Sequence, residues 1–197
     1  SVAGTHGKTT TSTMIAHILQ HSGRGCNAFL GGISVNYNTN FWSDPENIAV
    51  VEADEYDRSF LRLNPDMEIR TAMDPDHLDI DVTVGAREQA WIQFINNIKP
   101  GGTLIYKKGI HRSDEFIATH IISYHLQKEA DVQAKNIRVQ NGYYVFDVQY
   151  KNEMITDITL NMGGLHNVEN AVAAFTAAYE TGIEAEKIKI AIAGFKG

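Results

Sequence analysis

The chain has a single cysteine, Cys26, and it lacks both long apolar runs and an excess of basic residues. One cysteine excludes a framework of intrachain disulfides and is typical of a reducing cytosol, so we expect a cytoplasmic protein in which Cys26 is structural. No apolar run approaches the ~18 residues of a membrane span. The chain also does not open with a basic segment followed by an apolar one, which is the pattern of a signal peptide.

Acidic residues outnumber basic ones. There are 17 lysines and arginines against 24 aspartates and glutamates, which gives a formal net charge of −7. This balance argues against nucleic acid or an anionic membrane as the main partner. The length of 197 residues, with 43% hydrophobic residues, suffices for an ordinary core in one large domain or two small ones.

The first segment is rich in glycine and threonine. The apolar stub Ser1–Ala3 runs into the loop Gly4–Gly7, and Lys8 and Thr9 begin an amphipathic helix. Glycines bring backbone N–H groups close to phosphate oxygens, and the helix start adds the positive end of its dipole. We therefore expect the loop to bind ATP or GTP, with Lys8 reaching the β- and γ-phosphates and the hydroxyl of Thr9 holding Mg²⁺. A glycine-rich helix start without a ligand is the alternative, because Val2 stands where the general motif has its first glycine.

Beyond the loop, apolar strand-like segments alternate with amphipathic helices. We expect helices at 9–22, 84–98, 167–181 and 185–193, and strands at 28–30, 48–51, 67–73 and 103–106. Near the C-terminus, segments 136–139, 143–150 and 155–160, with an Asn141-Gly142 turn, predict consecutive antiparallel strands. The predicted fold class is α/β: a P-loop, doubly wound, mostly parallel sheet with helices on both faces and a small antiparallel β addition near the C-terminus.

A group of carboxylates follows the apolar segment at 48–51. Ligands of open α/β sheets bind at the carboxyl ends of the strands, which is where this segment delivers Glu52. For Glu52 we favour ligation of Mg²⁺ or orientation of a bound water. For Asp54, Glu55 and Asp57 a solvated acidic loop is the alternative.

One histidine lies among three carboxylates, in the run Asp-Pro-Asp-His-Leu-Asp at 74–79. Neighbouring carboxylates either raise the pKa of a histidine or share a metal with it, so ligation of a metal by His77 and simple surface exposure stay open. Five further histidines have no partner pattern and are interpreted as structural or solvated: His17, His21, His111, His120 and His125.

The segment 163–170, Gly-Gly-Leu-His-Asn-Val-Glu-Asn, leads into an alanine-rich helix. Asn167 and Asn170 are three residues apart and share a helix face. An amide donates and accepts at once, which suits the edge of an adenine. The equally weighted alternative is that Asn167 caps the helix and Asn170 faces solvent.

Taken in order, these motifs resemble the Mur ligase family, the ATP-dependent amide-bond ligases of bacterial cell-wall precursor synthesis. The resemblance covers essentially the whole chain. It is carried by Gly-Thr-His-Gly-Lys-Thr-Thr-Thr at 4–11, Gly-Gly-Ile-Ser at 31–34, Glu-Ala-Asp-Glu-Tyr-Asp-Arg-Ser-Phe at 52–60, Asp-Pro-Asp-His-Leu-Asp at 74–79, Phe-Ile-Asn-Asn-Ile-Lys-Pro-Gly-Gly at 94–102 and Gly-Leu-His-Asn-Val-Glu-Asn-Ala-Val-Ala-Ala at 164–174.

The resemblance implies the central ATP-binding domain of a three-domain enzyme, spanning residues 1–197. The N-terminal domain for the UDP-sugar and the C-terminal domain for the amino acid would then lie outside this chain. The short stub before the loop leads to the same expectation of an excised piece, because a central parallel strand usually needs about five residues.

The implied reaction joins L-alanine to UDP-N-acetylmuramate with ATP and Mg²⁺, through an acyl phosphate. A ligase that attaches a whole tripeptide to the same UDP-sugar is the rival within the family, and a nucleotide-dependent switch or binding module is the rival from another class.

Site residues are implied motif by motif. Lys8, Glu52 and His77 would be catalytic, and Thr9, Glu52 and His77 would serve the metal sites. Two features depart from the family pattern: no lysine lies between His77 and Ile98 to bind a second Mg²⁺ as a carbamate, and Tyr-Lys-Lys-Gly at 106–109 leaves the ribose contacts unassigned. The implied nucleotide contacts are Gly4, Thr5, His6, Gly7, Lys8, Thr9, Thr10, His166, Asn167 and Asn170.

Overall fold

A computed structural model describes residues 1–53, 59–73 and 81–197, and within them helices separate single strands and runs of consecutive strands. The strands are Val2–Ala3 (β1), Asn27–Ser34 (β2), Thr39–Trp42 (β3), Ala49–Val51 (β4), Met67–Arg70 (β5), Thr103–Lys107 (β6), His120–His125 (β7), Val132–Gln140 (β8), Tyr143–Tyr150 (β9) and Glu153–Leu160 (β10). The helices are Lys8–His21 (α1), Asp81–Asn96 (α2), Leu165–Glu180 (α3) and Ala185–Ala193 (α4), and short 3₁₀ turns lie at Ser59–Arg62 and Ser113–Glu115.

The main sheet has seven strands in the order β1-β5-β6-β7-β8-β9-β10. Neighbours from β1 to β8 run parallel, whereas β8, β9 and β10 pair antiparallel. The Asn141-Gly142 turn joins β8 to β9, as predicted, with positive φ angles of 52° and 81° at its two residues. The predicted fold class, a mostly parallel sheet with an antiparallel addition, is thus confirmed.

A second sheet of three strands, in the order β3-β2-β4, was not predicted. Strand β2 runs through Gly31 and Gly32 to Ser34, whereas the sequence pattern ended at residue 30 because two glycines interrupt the apolar run. Strand β3 is only four residues long and largely solvent-facing, so it carries little apolar signal. A bridge between Val2 and Glu52 connects this sheet to the main one, and it brings the end of β4 beside β1.

Apolar clusters cover both faces of the main sheet. Neighbouring residues of β1 show the division, because Val2 belongs to one cluster and Ala3 to the other. Helices α1, α3 and α4 pack on the first face, and Trp91 and Phe94 of α2 pack on the second. Among the residues that the structure describes, no helix is long and apolar enough to cross a lipid bilayer.

Two elements of the main sheet differ from the sequence prediction. Strand β7 was missed because its histidines and serine hide the apolar alternation of Ile122 and Tyr124, both of which are buried. Strand β8 begins at Val132 rather than 136, because its register with β9 shifts near Asn136, which has a φ of 50°. Such a bulge breaks the period-two pattern on which the prediction depended.

Candidate nucleotide-binding site

The glycine loop between β1 and α1 has a backbone that only glycine fits. Gly4 and Gly7 have φ angles of +142° and +79°, a region that side chains rarely adopt. A Cβ on Gly4 would lie 2.4 Å from the Thr71 hydroxyl oxygen and 2.7 Å from the backbone nitrogen of Ala72. The loop therefore depends on glycine both for its turn and for its close approach to the end of β5.

Hydrogen bonds from the end of β5 fix the path of this loop. The Thr71 hydroxyl donates to the carbonyl of His6 at 2.5 Å, and the backbone N–H of Thr5 donates to the carbonyl of Ala72 at 3.3 Å. Helix α1 then begins at Lys8, directly after Gly7. This geometry places the first turn of the helix, with its unpaired N–H groups, at the loop, and it is typical of a phosphate-binding site.

The ammonium group of Lys8 lies over the loop. It donates to the carbonyl oxygen of Gly4 at 2.7 Å, and the side chain is half-buried. A single hydrogen bond to a carbonyl leaves two ammonium protons for a further acceptor. Lys8 is thus in the position expected of a P-loop lysine, within the curve of the loop.

The carboxylate of Glu52 is held by three groups from two elements. Its Oε1 accepts from the Thr9 hydroxyl at 2.8 Å, and its Oε2 accepts from the backbone N–H of Gly31 at 2.7 Å and from the Ser12 hydroxyl at 3.4 Å. Glu52 follows β4, Gly31 lies in β2, and Thr9 and Ser12 lie on α1. Glu52 lies at the carboxyl end of its strand, as expected, and the structure adds its contact with Thr9.

The oxygens of Thr9 and Glu52 fit a magnesium ion. Neighbouring ligands of an octahedral Mg²⁺ lie about 2.9 Å apart when the metal–oxygen bonds are 2.0–2.1 Å. The hydroxyl of Thr9 and Oε1 of Glu52 are separated by 2.8 Å. Within the described residues, no group of three or more His, Cys, Asp or Glu side chains is arranged to hold a metal. Mg²⁺ usually has only a few protein ligands, and phosphate oxygens of the bound substrate supply others.

Helix α3 brings the two predicted asparagines against the phosphate loop. A Cβ on Gly7 would lie 2.5 Å from Oδ1 of Asn170. The Asn170 amide donates to Oδ1 of Asn167 at 3.3 Å, and the Asn167 amide donates to the carbonyl of Gly163 at 2.7 Å. Asn167 and Asn170 are 8% and 9% exposed. The start of α3 therefore belongs to the same site as the loop.

The alternative interpretation, in which Asn167 caps the helix and Asn170 faces solvent, was wrong in both parts. The residue that precedes α3 is Gly164, with no side-chain capping bond, so Asn167 is the third residue of the helix rather than its cap. Asn170 is buried rather than solvent-facing, because the glycine loop covers it. His166 is exposed and lies against Gly164, whose Cβ would meet the imidazole ring at 2.4 Å.

Charged and titratable side chains lie on α3 and at the ends of β6 and β7. Lys107, the last residue of β6, forms an ion pair of 2.8 Å with Glu169 of α3. The ring nitrogen Nδ1 of His125 accepts the backbone N–H groups of Gln127 and Lys128 at 2.8 and 2.9 Å. Burial lowers the pKa of His125, against the opposing effect of Glu169. These groups lie at the carboxyl ends of β6 and β7, in the region of the segment 106–109.

Residues 54–58 and 74–80 lie outside the described part of the chain. The predictions for Asp54, Glu55, Asp57 and His77 fall there.

Among the other histidines, His17 is buried and both ring nitrogens are hydrogen-bonded, to Tyr37 and to the carbonyl of Ala191, so its structural interpretation is confirmed.

Cys26 also has the structural role that was expected. It is a free, fully buried cysteine, and burial raises the pKa of its thiol to about 12. A thiol of such high pKa is protonated at neutral pH and is a poor nucleophile.

Sequence reasoning missed the contribution of Gly31. Its N–H binds the Glu52 carboxylate, and its missing side chain leaves the space that this carboxylate fills, since a Cβ there would lie 2.5 Å from Oε2. The available signal was a pair of glycines inside a strand, which indicates that another group approaches the backbone closely. Thr71 was missed as well, because a buried threonine after a strand has no distinguishing pattern.

The fold and the loop together define a class of protein: an α/β nucleotide-binding domain whose phosphate loop joins the first strand to the first helix. Residues 2–178 match the family model described as the Mur ligase middle domain, and the chain belongs to this family.

Relatives named UDP-N-acetylmuramate–L-alanine ligase align with the entire chain. The chain is 47% identical over 197 residues to that of Phocaeicola vulgatus and 42% identical over 200 residues to that of Cytophaga hutchinsonii. It spans 43% of the length of each of these relatives.

Solved structures share the fold. The UDP-N-acetylmuramate:L-alanyl-gamma-D-glutamyl-meso-diaminopimelate ligase from Neisseria meningitides superposes with a TM-score of 0.86 at 25% identity, over 100% of this chain and 65% of that one. The UDP-N-acetylmuramate-alanine ligase of Thermotoga maritima gives a TM-score of 0.82 at 24% identity, over 100% of this chain and 44% of that one, which supports the fold alone.

Proposed function

We propose that this chain is the central ATP-binding domain of a ligase that joins L-alanine to UDP-N-acetylmuramate. The observation that carries the proposal is the hydrogen-bonded arrangement of Thr9, Glu52 and Gly31 beside the glycine loop, in a chain 47% identical to a relative of that name. The domains that would bind the UDP-sugar and the amino acid are proposed to lie outside residues 1–197, since the relatives are more than twice as long as the chain.

In this proposal the loop residues Gly4, Thr5, His6, Gly7 and Thr10 cradle the phosphates of ATP through their backbone. The ammonium group of Lys8 binds the β- and γ-phosphate oxygens in place of the Gly4 carbonyl. The side of the site formed by His166, Asn167 and Asn170 takes the adenine. The contact between Asn170 and Gly7 supports this placement, because it joins the base side of the site to the phosphate side.

The Thr9 hydroxyl and the Glu52 carboxylate would hold Mg²⁺ together with phosphate oxygens, and His77 is proposed for the metal sites from its motif. When bound, Mg²⁺ neutralises negative charge on the phosphates. Gly31 orients the Glu52 carboxylate through its N–H, so both carboxylate oxygens are fixed before a ligand arrives. Neither Glu52 nor Lys8 is required to move a proton in this scheme.

The chemistry that this arrangement favours is phosphoryl transfer, which needs chiefly positioning and charge neutralisation. A carboxylate oxygen of the UDP-N-acetylmuramate lactyl group attacks the γ-phosphorus, and the bond to the bridging oxygen breaks to release ADP. The amine of L-alanine then attacks the acyl phosphate carbonyl, loses a proton, and expels inorganic phosphate. The part of this chain's own residues is to hold ATP, the phosphoryl donor, in a fixed position for this attack.

Phosphate release by the full-length protein tests the proposal, with UDP-N-acetylmuramate and ATP and either L-alanine or the tripeptide L-alanyl-γ-D-glutamyl-meso-diaminopimelate. We expect turnover with L-alanine. The tripeptide ligase is the second candidate, because the neighbour from Neisseria meningitides has that name. Turnover with the tripeptide alone would favour that candidate, and ATP hydrolysis that neither acceptor stimulates would favour a nucleotide-dependent switch.

A further inference from the structure

Thr71 holds the phosphate loop from the side of the main sheet. It directly follows β5 and is only 5% exposed. Its hydroxyl oxygen lies 2.5 Å from the carbonyl oxygen of His6 and 3.3 Å from that of Ala3, and its backbone N–H donates to Ala3 at 3.0 Å. Because a hydroxyl carries a single proton, it donates to the nearer carbonyl, that of His6. One buried side chain therefore anchors a carbonyl in the middle of the loop.

This anchor fixes the orientation of the peptide group between His6 and Gly7. No cis bond occurs among the described residues, so this peptide is trans, and its C=O and N–H point to opposite sides. The carbonyl of His6 points to Thr71, and the N–H of Gly7 consequently points away from β5. The carbonyl of Gly7 accepts from the N–H of Thr11, inside α1. The last peptide before the helix is thus held with its donor on the side away from β5.

The backbone at Gly7 does not hold that orientation by itself. Glycine populates positive and negative φ about equally, so the peptide group that precedes it turns over easily once the bond from Thr71 is lost. A reversed peptide would present the carbonyl oxygen of His6 where an anion needs a donor. Concave arrays of backbone N–H groups bind phosphate, whereas a carbonyl oxygen carries a partial negative charge and repels it. The orientation of this one peptide therefore affects how strongly the loop attracts a phosphate.

We propose that Thr71 is a positioning residue for nucleotide binding, whose hydroxyl holds the peptide between His6 and Gly7 with its N–H toward the β-phosphate of ATP. This role rests on the ATP site proposed above, and it adds a residue that touches neither the nucleotide nor the metal. Thr71 acts through the loop, so loss of its hydroxyl weakens the binding of those phosphates that the loop holds. Contacts between the base and α3 are left unchanged.

The test compares Thr71→Val and Thr71→Ser with the parent in the full-length protein. Valine keeps the branched shape of the side chain but has no hydroxyl, whereas serine keeps the hydroxyl. Thr176→Val is the matched control, because Thr176 is fully buried and its hydroxyl donates to the carbonyl of Val172 at 2.7 Å within α3. We expect KM for ATP to rise about 10-fold in Thr71→Val and to stay within about 2-fold of the parent in the other two variants. KM for UDP-N-acetylmuramate stays at the parent's value in all three. Both valine variants lose one buried hydrogen bond, so their melting temperatures should fall by similar amounts.

Calorimetric titration with ADP and with AMP gives a readout that does not depend on turnover. AMP has no β-phosphate, so its affinity should be the same for the parent and for Thr71→Val. Kd for ADP should rise about 10-fold in Thr71→Val and stay at the parent's value in Thr71→Ser. Thr71→Ala, which also lacks the hydroxyl but has a smaller side chain, repeats the comparison if the valine variant does not fold.

Isotope labelling observes the peptide itself. With ¹³C in histidine carbonyls and ¹⁵N in glycine, NMR selects His-Gly pairs, and residues 1–197 contain a single one, at 6–7. Its amide resonance should shift when ADP is added to the parent and to Thr71→Ser, but not when ADP saturates Thr71→Val.

The outcomes separate the role of Thr71 from the ATP site on which it rests. An equal shift in Thr71→Val, or an unchanged Kd for ADP, would overturn the role and leave the ATP site standing. Equal weakening of AMP and ADP would overturn it as well, because the whole site rather than the loop would then be distorted. A parent protein that binds neither ADP nor ATP would overturn the proposed ATP site, and the role of Thr71 with it.

Discussion

Replacing Gly31 with alanine would displace the Glu52 carboxylate without disturbing the fold. The new Cβ would lie 2.5 Å from Oε2 of Glu52 and 2.6 Å from its Oε1. Ordinary contact begins at 3.4 Å, so the carboxylate must retreat by the difference, 3.4 − 2.5 = 0.9 Å. The carboxylate is the flexible end of a side chain and yields easily. Gly31 has no positive φ, and alanine in a strand is favoured over glycine by roughly 0.5–1 kcal/mol.

The functional cost should be much larger than the structural one. A shift of this size is close to half of a Mg²⁺–oxygen bond of about 2.1 Å, so Glu52 could no longer share with Thr9 the Mg²⁺ that we propose for this pair. Misplacement of a group at a reactive site by about 1 Å costs about 100-fold in rate. We therefore expect Gly31→Ala to lower kcat/KM about 10- to 100-fold and to raise the Mg²⁺ concentration needed for half-maximal activity.

The measurement is a Mg²⁺ titration of product formation by the full-length protein, paired with thermal unfolding. Gly85→Ala is the matched control, since no atom lies within 4 Å of a Cβ at that position, and both its activity and its melting temperature should be at least those of the parent. If Gly31→Ala unfolds at the parent's temperature and keeps the parent's rate and Mg²⁺ dependence, the Glu52 carboxylate does not serve the metal. The argument from its hydrogen bonds would then be refuted.

Three further changes test other parts of the molecule. Lys8→Ala should abolish ligation at unchanged melting temperature, a loss of several kcal/mol in transition-state stabilisation, and near-normal turnover would remove the P-loop assignment. The isolated chain of 197 residues should yield no UDP-N-acetylmuramoyl-alanine with all substrates present, because positioning of reactants is worth about 7–11 kcal/mol; chromatography that detects product would place substrate sites within this chain. Burial lowers the pKa of His17, so the folded state disfavours its proton, and the free energy of unfolding should fall as pH drops below about 6.5. Urea titrations at several pH values should show a smaller decline in His17→Gln than in the parent, and equal declines would contradict the assignment.

Local sequence chemistry was sufficient for the elements whose signals lie within one segment. The glycine loop and the start of α1 were predicted because turn chemistry, helix periodicity and the Lys-Thr pair coincide over a dozen residues. The Asn141-Gly142 turn was predicted for the same reason. Strands β3 and β7 were missed because their side chains are polar or solvent-facing, and neighbouring strands rather than their own periodicity determine their conformation.

The candidate site is formed by contacts between residues that are far apart in the sequence, and no local pattern predicts such contacts. Glu52 was singled out from its place after an apolar strand, but its three hydrogen-bond donors come from α1 and β2, at least 21 positions earlier in the chain. The contact of Asn170 with Gly7 joins the second segment of the site to the first across most of the chain. Both contacts depend on the order of strands in the sheets, because β4 lies between β2 and β1 and α3 covers the same face as α1.

The two glycines at these contacts serve opposite ends of one site. At Gly7 the absent side chain admits the Asn170 amide, and at Gly31 it admits the Glu52 carboxylate. Gly7 also has a φ of +79°, so alanine there is strained in its backbone as well as in its contacts. Gly31 has no positive φ, and the three atoms nearest to a Cβ at Gly31 all belong to Glu52. Removing the carboxylate should consequently relieve Gly31→Ala but not Gly7→Ala. Gly7 is thus needed for the backbone conformation of the loop, whereas Gly31 is needed because its missing side chain leaves room for the Glu52 carboxylate.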